Sequence, residues 1–301
     1  MIKTCITALL VSISLPVLAG QSTVSTTQDQ TAAPDQPSNL TLSNLFTEGW
    51  DQAYGKRVTP DGAPDMALLH VQTNFLEREF RVDSYYQQNV GNNKARSVAF
   101  LDELIAYSFD RRFMVEVVSN YEWESLRSGA NNNNGASGAI LTRLQLVDVP
   151  GSSYALNLRV TSPNDGIDMK QTTISPAIAG WQDLTCFGLK RFGLYYDVQE
   201  DSYVGPGEKG GKHTDIAYDV SLAKTWTDPD VRFFGNFTTF VELYATTNLD
   251  GADRGATALN VTPGIRFTLG HGNVLMAGVD LPVSQPHDFD TTYRLTYIIN
   301  F

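Results

Sequence analysis

The chain has 301 residues, 42% hydrophobic and 18% charged, with a formal net charge of −11. That acidic surplus argues against nucleic acid as a partner, because phosphate backbones are bound through clustered Lys and Arg. Mean hydropathy is −0.20, and beyond the extreme N-terminus no stretch approaches the roughly 18 apolar residues of a membrane helix. Two classes survive: a soluble domain, and a transmembrane barrel whose strands alternate apolar and polar residues and so average to neutral hydropathy.

Residues 1–19 have the form of a cleaved signal peptide. Lys3 supplies a positive charge, Ile6 to Leu18 is an apolar run broken by Pro16, and Val17-Leu18-Ala19 suits cleavage. The alternative, an N-terminal anchor, is disfavoured by the short run and the proline. Cleavage removes Cys5 and leaves Cys186 alone, so no internal disulfide is expected. Residues 20–41 are rich in Ser, Thr, Gln and Pro and predict a disordered tether. In the lead-in, 42–66, Leu42, Leu45, Phe46 and Trp50 fall at helical spacing behind Thr41 or Ser43 as N-cap. A short helix there would rest in a barrel mouth or on its rim; a loosely attached segment fits equally.

From residue 67 to 301 the period is two. Phe113, Val115, Val117, Tyr121 and Trp123 oppose Glu116, Asn120, Glu122 and Glu124, and Tyr293, Leu295, Tyr297 and Ile299 oppose Thr292, Arg294, Thr296 and Asn300. The pattern predicts strands at 68–82, 97–109, 112–126, 138–149, 153–162, 172–187, 189–203, 213–227, 232–247, 257–269, 273–284 and 291–301. Their links alternate between long polar loops (84–96, 127–137, 163–171, 205–212, 248–256, 285–290) and short turns at 110–111, 150–151, near Gly188, at 228–230 and at 270–272. Long strands with such alternation predict an all-β, antiparallel transmembrane β-barrel of about 12 strands, with short periplasmic turns, long extracellular loops and both termini periplasmic. A periplasmic β-sandwich is the competing fold. Phe109, Phe113, Phe187, Trp226 and Phe301 would ring one bilayer interface, and Tyr85, Trp123, Tyr203 and Tyr244 the other.

The last strand, with Tyr293, Tyr297, Ile299 and Phe301 on one face, resembles the C-terminal signature by which outer-membrane proteins are recognised by their insertion machinery. Three wider stretches carry a further resemblance: LFTEGW (45–50) followed by GAPD (62–65), HVQTNFLEREF (70–80), and TPGIRFTL (262–269) running on to GVDLP (278–282). They resemble the outer-membrane transporters grouped as "MetA-pathway of phenol degradation", barrels related to porins. That resemblance implies a transporter in the outer membrane for small, including aromatic or otherwise hydrophobic, solutes.

No zinc spacing, P-loop or dinucleotide fingerprint is present, so neither metal nor cofactor is expected. His70 is expected as a hydrogen-bonded residue on the polar face of the first strand, beside Gln72 and Asn74; His271 sits in a turn. His213 near Asp215 and Asp219, and His287 beside Asp288 and Asp290, are the only rim groups suited to base chemistry. An enzyme is therefore not expected. The lumen candidates are Glu116, Glu122, Arg143, Arg159, Asp197, Asp219, Glu242, Arg266, Asp280 and Arg294. Mixed charges there either select a small-molecule solute or pair across and fill the lumen. The expected function is a channel or transporter; the alternatives are a non-conducting structural barrel and a rim-active hydrolase.

Overall fold

The computed structural model describes residues 37–55, 62–90, 95–128, 131–163, 171–205, 214–285, 287 and 289–301, with side chains described for all of these but 131–136 and 271. The signal peptide and most of the expected tether lie outside the described residues. Twelve strands form among those described: β1 Arg78–Gln88, β2 Ala95–Ser108, β3 Phe113–Leu126, β4 Asn131–Val149, β5 Ser152–Thr161, β6 Thr172–Asp183, β7 Phe192–Val204, β8 Thr214–Thr225, β9 Gly235–Asn248, β10 Thr257–Thr268, β11 Val274–Pro282 and β12 Thr291–Asn300. Each pairs antiparallel with its sequence neighbours, and β1 pairs with β12 (Glu79 opposite Asn300, Gln88 opposite Thr291), so the sheet closes. Closure leaves no unpaired edge, which is the condition for a sheet to lie in hydrocarbon.

The two faces are inverted relative to a soluble protein. Ile105, Val117, Ile140, Leu158, Ile178, Val198, Val220, Val241, Ile265 and Leu295 all point outward and are exposed. Inward lie Glu116, Glu122, Arg143, Asp197, Glu242 and Asp280, all buried. Only a surrounding apolar medium makes this arrangement favourable, since about 25 cal/mol per Å2 is otherwise forfeited on the outside. The fold is therefore the transmembrane barrel that the alternation predicts, not a sandwich.

Two ends can be defined: a proximal end, where β1 begins and β12 finishes, and a distal end opposite. At the proximal end β4 and β5 are joined by Pro150-Gly151, with Gly151 at φ +80°, and the β6–β7 link is a 3-10 turn, Leu184–Phe187, capped by Asp183 and ended by Gly188 at φ +80°. The expected alternation of loop length is less regular than the sequence suggests. The Asn run expected in a loop is paired instead, with Asn131 opposite Ser125 and Asn134 opposite Glu122, leaving only 127–130 between β3 and β4. Conversely β9 opens at Gly235, not 232, because the β8–β9 link folds back on itself through Asn236 N–H to the Asp228 carbonyl. Proximal rings Phe109, Phe187, Trp226 and Phe301 are exposed as an interfacial belt requires. On the distal side Trp123 is exposed, but Tyr85, Tyr203 and Tyr244 have lumen-facing parity: Tyr85 stacks on Phe100, Tyr203 donates to Asp215, and Tyr244 stacks on His70. That distal belt is corrected to inward aromatics.

The largest departure concerns residues 68–77, which the alternation assigns to the first strand. β1 begins only at Arg78. Residues 62–77 are irregular backbone folded inside the barrel, where carboxylates and amides of the wall supply the hydrogen-bond partners that a neighbouring strand would have given.

Candidate functional site: the lumen and its internal plug

The N-terminal segment first clips onto the proximal rim. The helix expected over 42–50 reduces to a single 3-10 turn, Leu42–Asn44. Leu40 exchanges backbone hydrogen bonds with Asp148 (3.0 and 2.9 Å). Arg112, fully buried in the β2–β3 turn, donates to the carbonyls of Glu48 (2.8 Å), Gln145 (2.9 Å), Leu146 (3.0 Å) and Asn44 (3.0 Å). Arg111 donates to Asp148 (2.9 Å) and Gln52 (2.7 Å). Gly49 needs its left-handed φ of +93°, and a Cβ there would sit 3.0 Å from both Arg112 Cγ and Leu40 Cδ2.

The chain then enters the lumen. Ala63, Met66, Leu68 and Val71 pack on Trp181, Tyr195, Ala223 and Phe240 of the wall; Ala67 packs on Val274, Met276 and Ile298. Polar contacts follow in chain order. Glu242 of β9, fully buried, accepts the backbone N–H groups of Leu69, His70 and Val71 at 3.3, 3.2 and 3.2 Å. The His70 ring lies 2.9 Å from Asp280 of β11 and stacks on Tyr244 with centroids 3.8 Å apart. Asp197 of β7 accepts from Gln72 N–H at 2.7 Å, and Asn157 of β5 donates to Gln72 and Thr73. Gln145 donates to the Asn74 carbonyl, and Arg143 of β4 reaches the Phe75 carbonyl (2.8 Å) and Glu77 (3.1 Å). Residues 62–77 are thus an internal plug pinned to β4, β5, β7, β9 and β11, and by Ser108 of β2, which donates to the Glu77 carbonyl.

Of the ten lumen candidates, Arg143, Asp197, Glu242 and Asp280 hold the plug. Arg294 pairs with Asp280 at 2.7 Å and lies over the Tyr85 ring at 4.7 Å. Glu122 is buried in the distal half of β3, and Asp219 stands on β8 directly opposite Asp197. Arg266 is buried on β10, with its Nε lacking a hydrogen-bond partner among the described residues. Glu116 and Arg159 line a polar cavity of about 200 Å3 between the plug and the β1–β5 and β12 wall. Tyr293, Ile299 and Phe301 are exposed on the outer face of β12, with Tyr297 half-buried there.

Sequence reasoning did not single out Arg81, Asp83 or Asp102, which also line the cavity, and it assigned Tyr85, a fourth lining residue, to the bilayer interface. Their period-two placement was available from β1 and β2, but β1 was misframed by the plug. His287 lies 3.8 Å from Asp290 at the surface; His213, Asp288 and the His271 side chain lie outside the described residues. No group of three His, Cys, Asp or Glu side chains suited to a metal occurs among the described residues.

No known family model matches this chain, and no curated protein sequence matches it; the resemblance to the phenol-degradation grouping therefore gains nothing from them. Solved structures do match. The NanC porin aligns at 9% identity with a TM-score of 0.50, over 74% of this chain and 98% of its own. This chain has a porin-like β-barrel fold. The KdgM porin aligns at 11% identity and 0.47 over 73% and 99% of the two chains. The β-domain of the Bordetella autotransporter BrkA aligns at 12% identity and 0.47, over 75% and 100%. At such identities the likeness concerns the fold alone.

Proposed function

We propose that this protein is an outer-membrane channel for small polar solutes, held closed at rest by its own residues 62–77. One observation carries the reading: a closed barrel with an apolar outer face encloses an ionic lumen, and what fills that lumen is a non-strand stretch of the same chain rather than interlocked wall side chains alone. A wall built only for stability would pack its interior from its own strands. Lipid is then the principal partner, and Tyr293, Tyr297, Ile299 and Phe301 form the outward face offered to the insertion machinery. With the proximal end periplasmic, the rim segment 37–55 and both termini lie on that side. The ionic cavity lining favours polar cargo over the aromatic or hydrophobic solutes implied by the family resemblance.

The plug also supports a second reading, a permanently sealed structural barrel. Planar-bilayer conductance separates the two. The full chain should show rare openings, and a variant with residues 62–77 replaced by a Gly/Ser linker of equal length should carry steady current. Silence from both, with heat-modifiable migration of the barrel preserved, would sink the channel reading and leave the sealed barrel.

A further inference from the structure

We infer that the lumen cavity is a binding subsite for small zwitterions, solutes with one ammonium and one carboxylate at the two ends of a short apolar stem. This deepens the channel reading by naming its solute class, and it rests on that reading for passage though not for binding.

The argument is an inventory of the charges around the cavity of about 200 Å3. Of its four arginines, Arg81 pairs with Asp83 at 2.7 Å, Arg143 with Glu77 at 3.1 Å and Arg294 with Asp280 at 2.7 Å. Among the acids, Asp102 accepts from Asn120 at 2.6 Å and Glu79 is engaged in turn. Two groups are left over: Glu116 lies in the field of Arg143 and Arg159, yet neither it nor Arg159 makes a hydrogen bond or ion pair with any described residue. Glu116 is only 5% exposed, and what its carboxylate faces is the cavity. A carboxylate taken out of bulk water with no direct hydrogen-bonded partner is costly even near arginines, so its persistence there calls for a ligand that repays it.

The register says how the two are spaced. Glu116 on β3 stands opposite Leu141 on β4, and Leu141 stands opposite Arg159 on β5, all three on the lumen face. Two strand spacings place their backbones about 10 Å apart. Between them the floor is apolar, Leu141 with Leu104 beside it. A lone anion would satisfy Arg159 but leave Glu116 unpaired and repelled; a lone cation would do the reverse. A solute with both charges satisfies both groups at once and lays its stem on the leucines. The spacing favours charges separated by a few methylenes.

The test is calorimetric titration of the refolded full-length chain with 4-aminobutyrate, butylamine and butyrate. The zwitterion should bind at least tenfold more tightly than either singly charged analogue. Glu116→Gln should bring 4-aminobutyrate level with butyrate, and Arg159→Gln should bring it level with butylamine. Equal affinity for all three compounds, no binding of any, or a margin unchanged in both folded variants would overturn the subsite. If a variant loses heat-modifiable migration, the three-compound comparison on the unaltered chain decides alone. Solute flux into proteoliposomes is measured in parallel: sugar flux without zwitterion binding removes the subsite and keeps the channel, while binding without flux of any solute keeps the subsite and removes the channel.

Discussion

Glu242 illustrates what a single buried residue does in this lumen. Its carboxylate meets three successive backbone N–H groups, so one wall side chain replaces the partners that a strand neighbour would have given residues 69–71. Charge-assisted bonds of this kind contribute about 1.5–3 kcal/mol each, and orphaning the buried donors costs about as much. Glu242→Ala should therefore loosen the plug while leaving the sheet closed, and limited proteolysis within 62–77 should quicken at least tenfold. Glu242→Gln, which keeps an acceptor but not the charge, should fall between. An unchanged cleavage rate in Glu242→Ala would show that the apolar contacts alone hold the segment. Arg112 plays the same part at the rim, collecting carbonyls from residues 44 and 48 and from 145 and 146. Arg112→Met would orphan the carbonyls that this fully buried side chain serves, at about 1–3 kcal/mol for each that water cannot reach. It should raise amide hydrogen exchange across 37–55 without altering exchange in the strands.

At the scale of elements, β10 and β11 show how a wall makes room for an internal segment. Gly264 and Gly278 are cross-strand partners. A Cβ at Gly264 would lie 2.3 Å from Phe240 Cζ, and one at Gly278 would lie 2.4 Å from Leu69 Cδ1. The two glycines flatten the lumen face so that a wall ring and a plug leucine can lie against backbone. Gly278→Val would push Leu69 off its seat at about 1–3 kcal/mol, the usual cost of overpacking. Proteolysis of the plug should again report it, with barrel migration on a gel unchanged. The opposite face obeys lipid instead. Val220, on β8 between Tyr196 and Leu243, is exposed outward. Val220→Arg should destabilise refolding into lipid vesicles by about 2–4 kcal/mol if it lies near the bilayer midplane. No loss in a urea titration would contradict the membrane placement of that face.

For the molecule as a whole, closure separates two stabilities. The strand ladder, sealed by β1 against β12, satisfies its backbone from strand to strand, without ladder hydrogen bonds to the plug. The plug is held by side chains of wall residues, through bonds that can be exchanged for water or for solute without breaking the ladder. On the channel reading such a fold would open its lumen while remaining a barrel, and local opening at a cost below that of global unfolding is the general form of such motions. The expected signature is two transitions in chemical denaturation: plug release detected by proteolysis or by Trp181 fluorescence, then barrel unfolding detected by gel migration at higher denaturant. One coincident transition would mean that plug and barrel form a single cooperative unit.

What the sequence determined by itself was everything that depends on local period. Alternation along β3 and β12 assigned the lumen and lipid faces, and strand length with turn chemistry at Pro150-Gly151 and Gly188 assigned an antiparallel closed barrel of twelve strands. The same period misled at 68–77, because an extended segment alternates whether it pairs with a strand or with side chains. Nothing local distinguishes an N–H that will meet a backbone carbonyl from one that will meet Glu242, about 170 positions away in the chain. Tyr85 and Tyr244 were misplaced for a related reason: an aromatic ring suits an interface belt and an inward stack equally, and only the parity of the finished strand decides. Which wall charges stay free was likewise beyond the sequence. Glu116 and Arg143 look alike as inward charges on neighbouring strands, and tertiary packing gave Arg143 the plug to hold and left Glu116 facing the cavity, because an ion's partner is set by proximity across the lumen and not by its place in the chain.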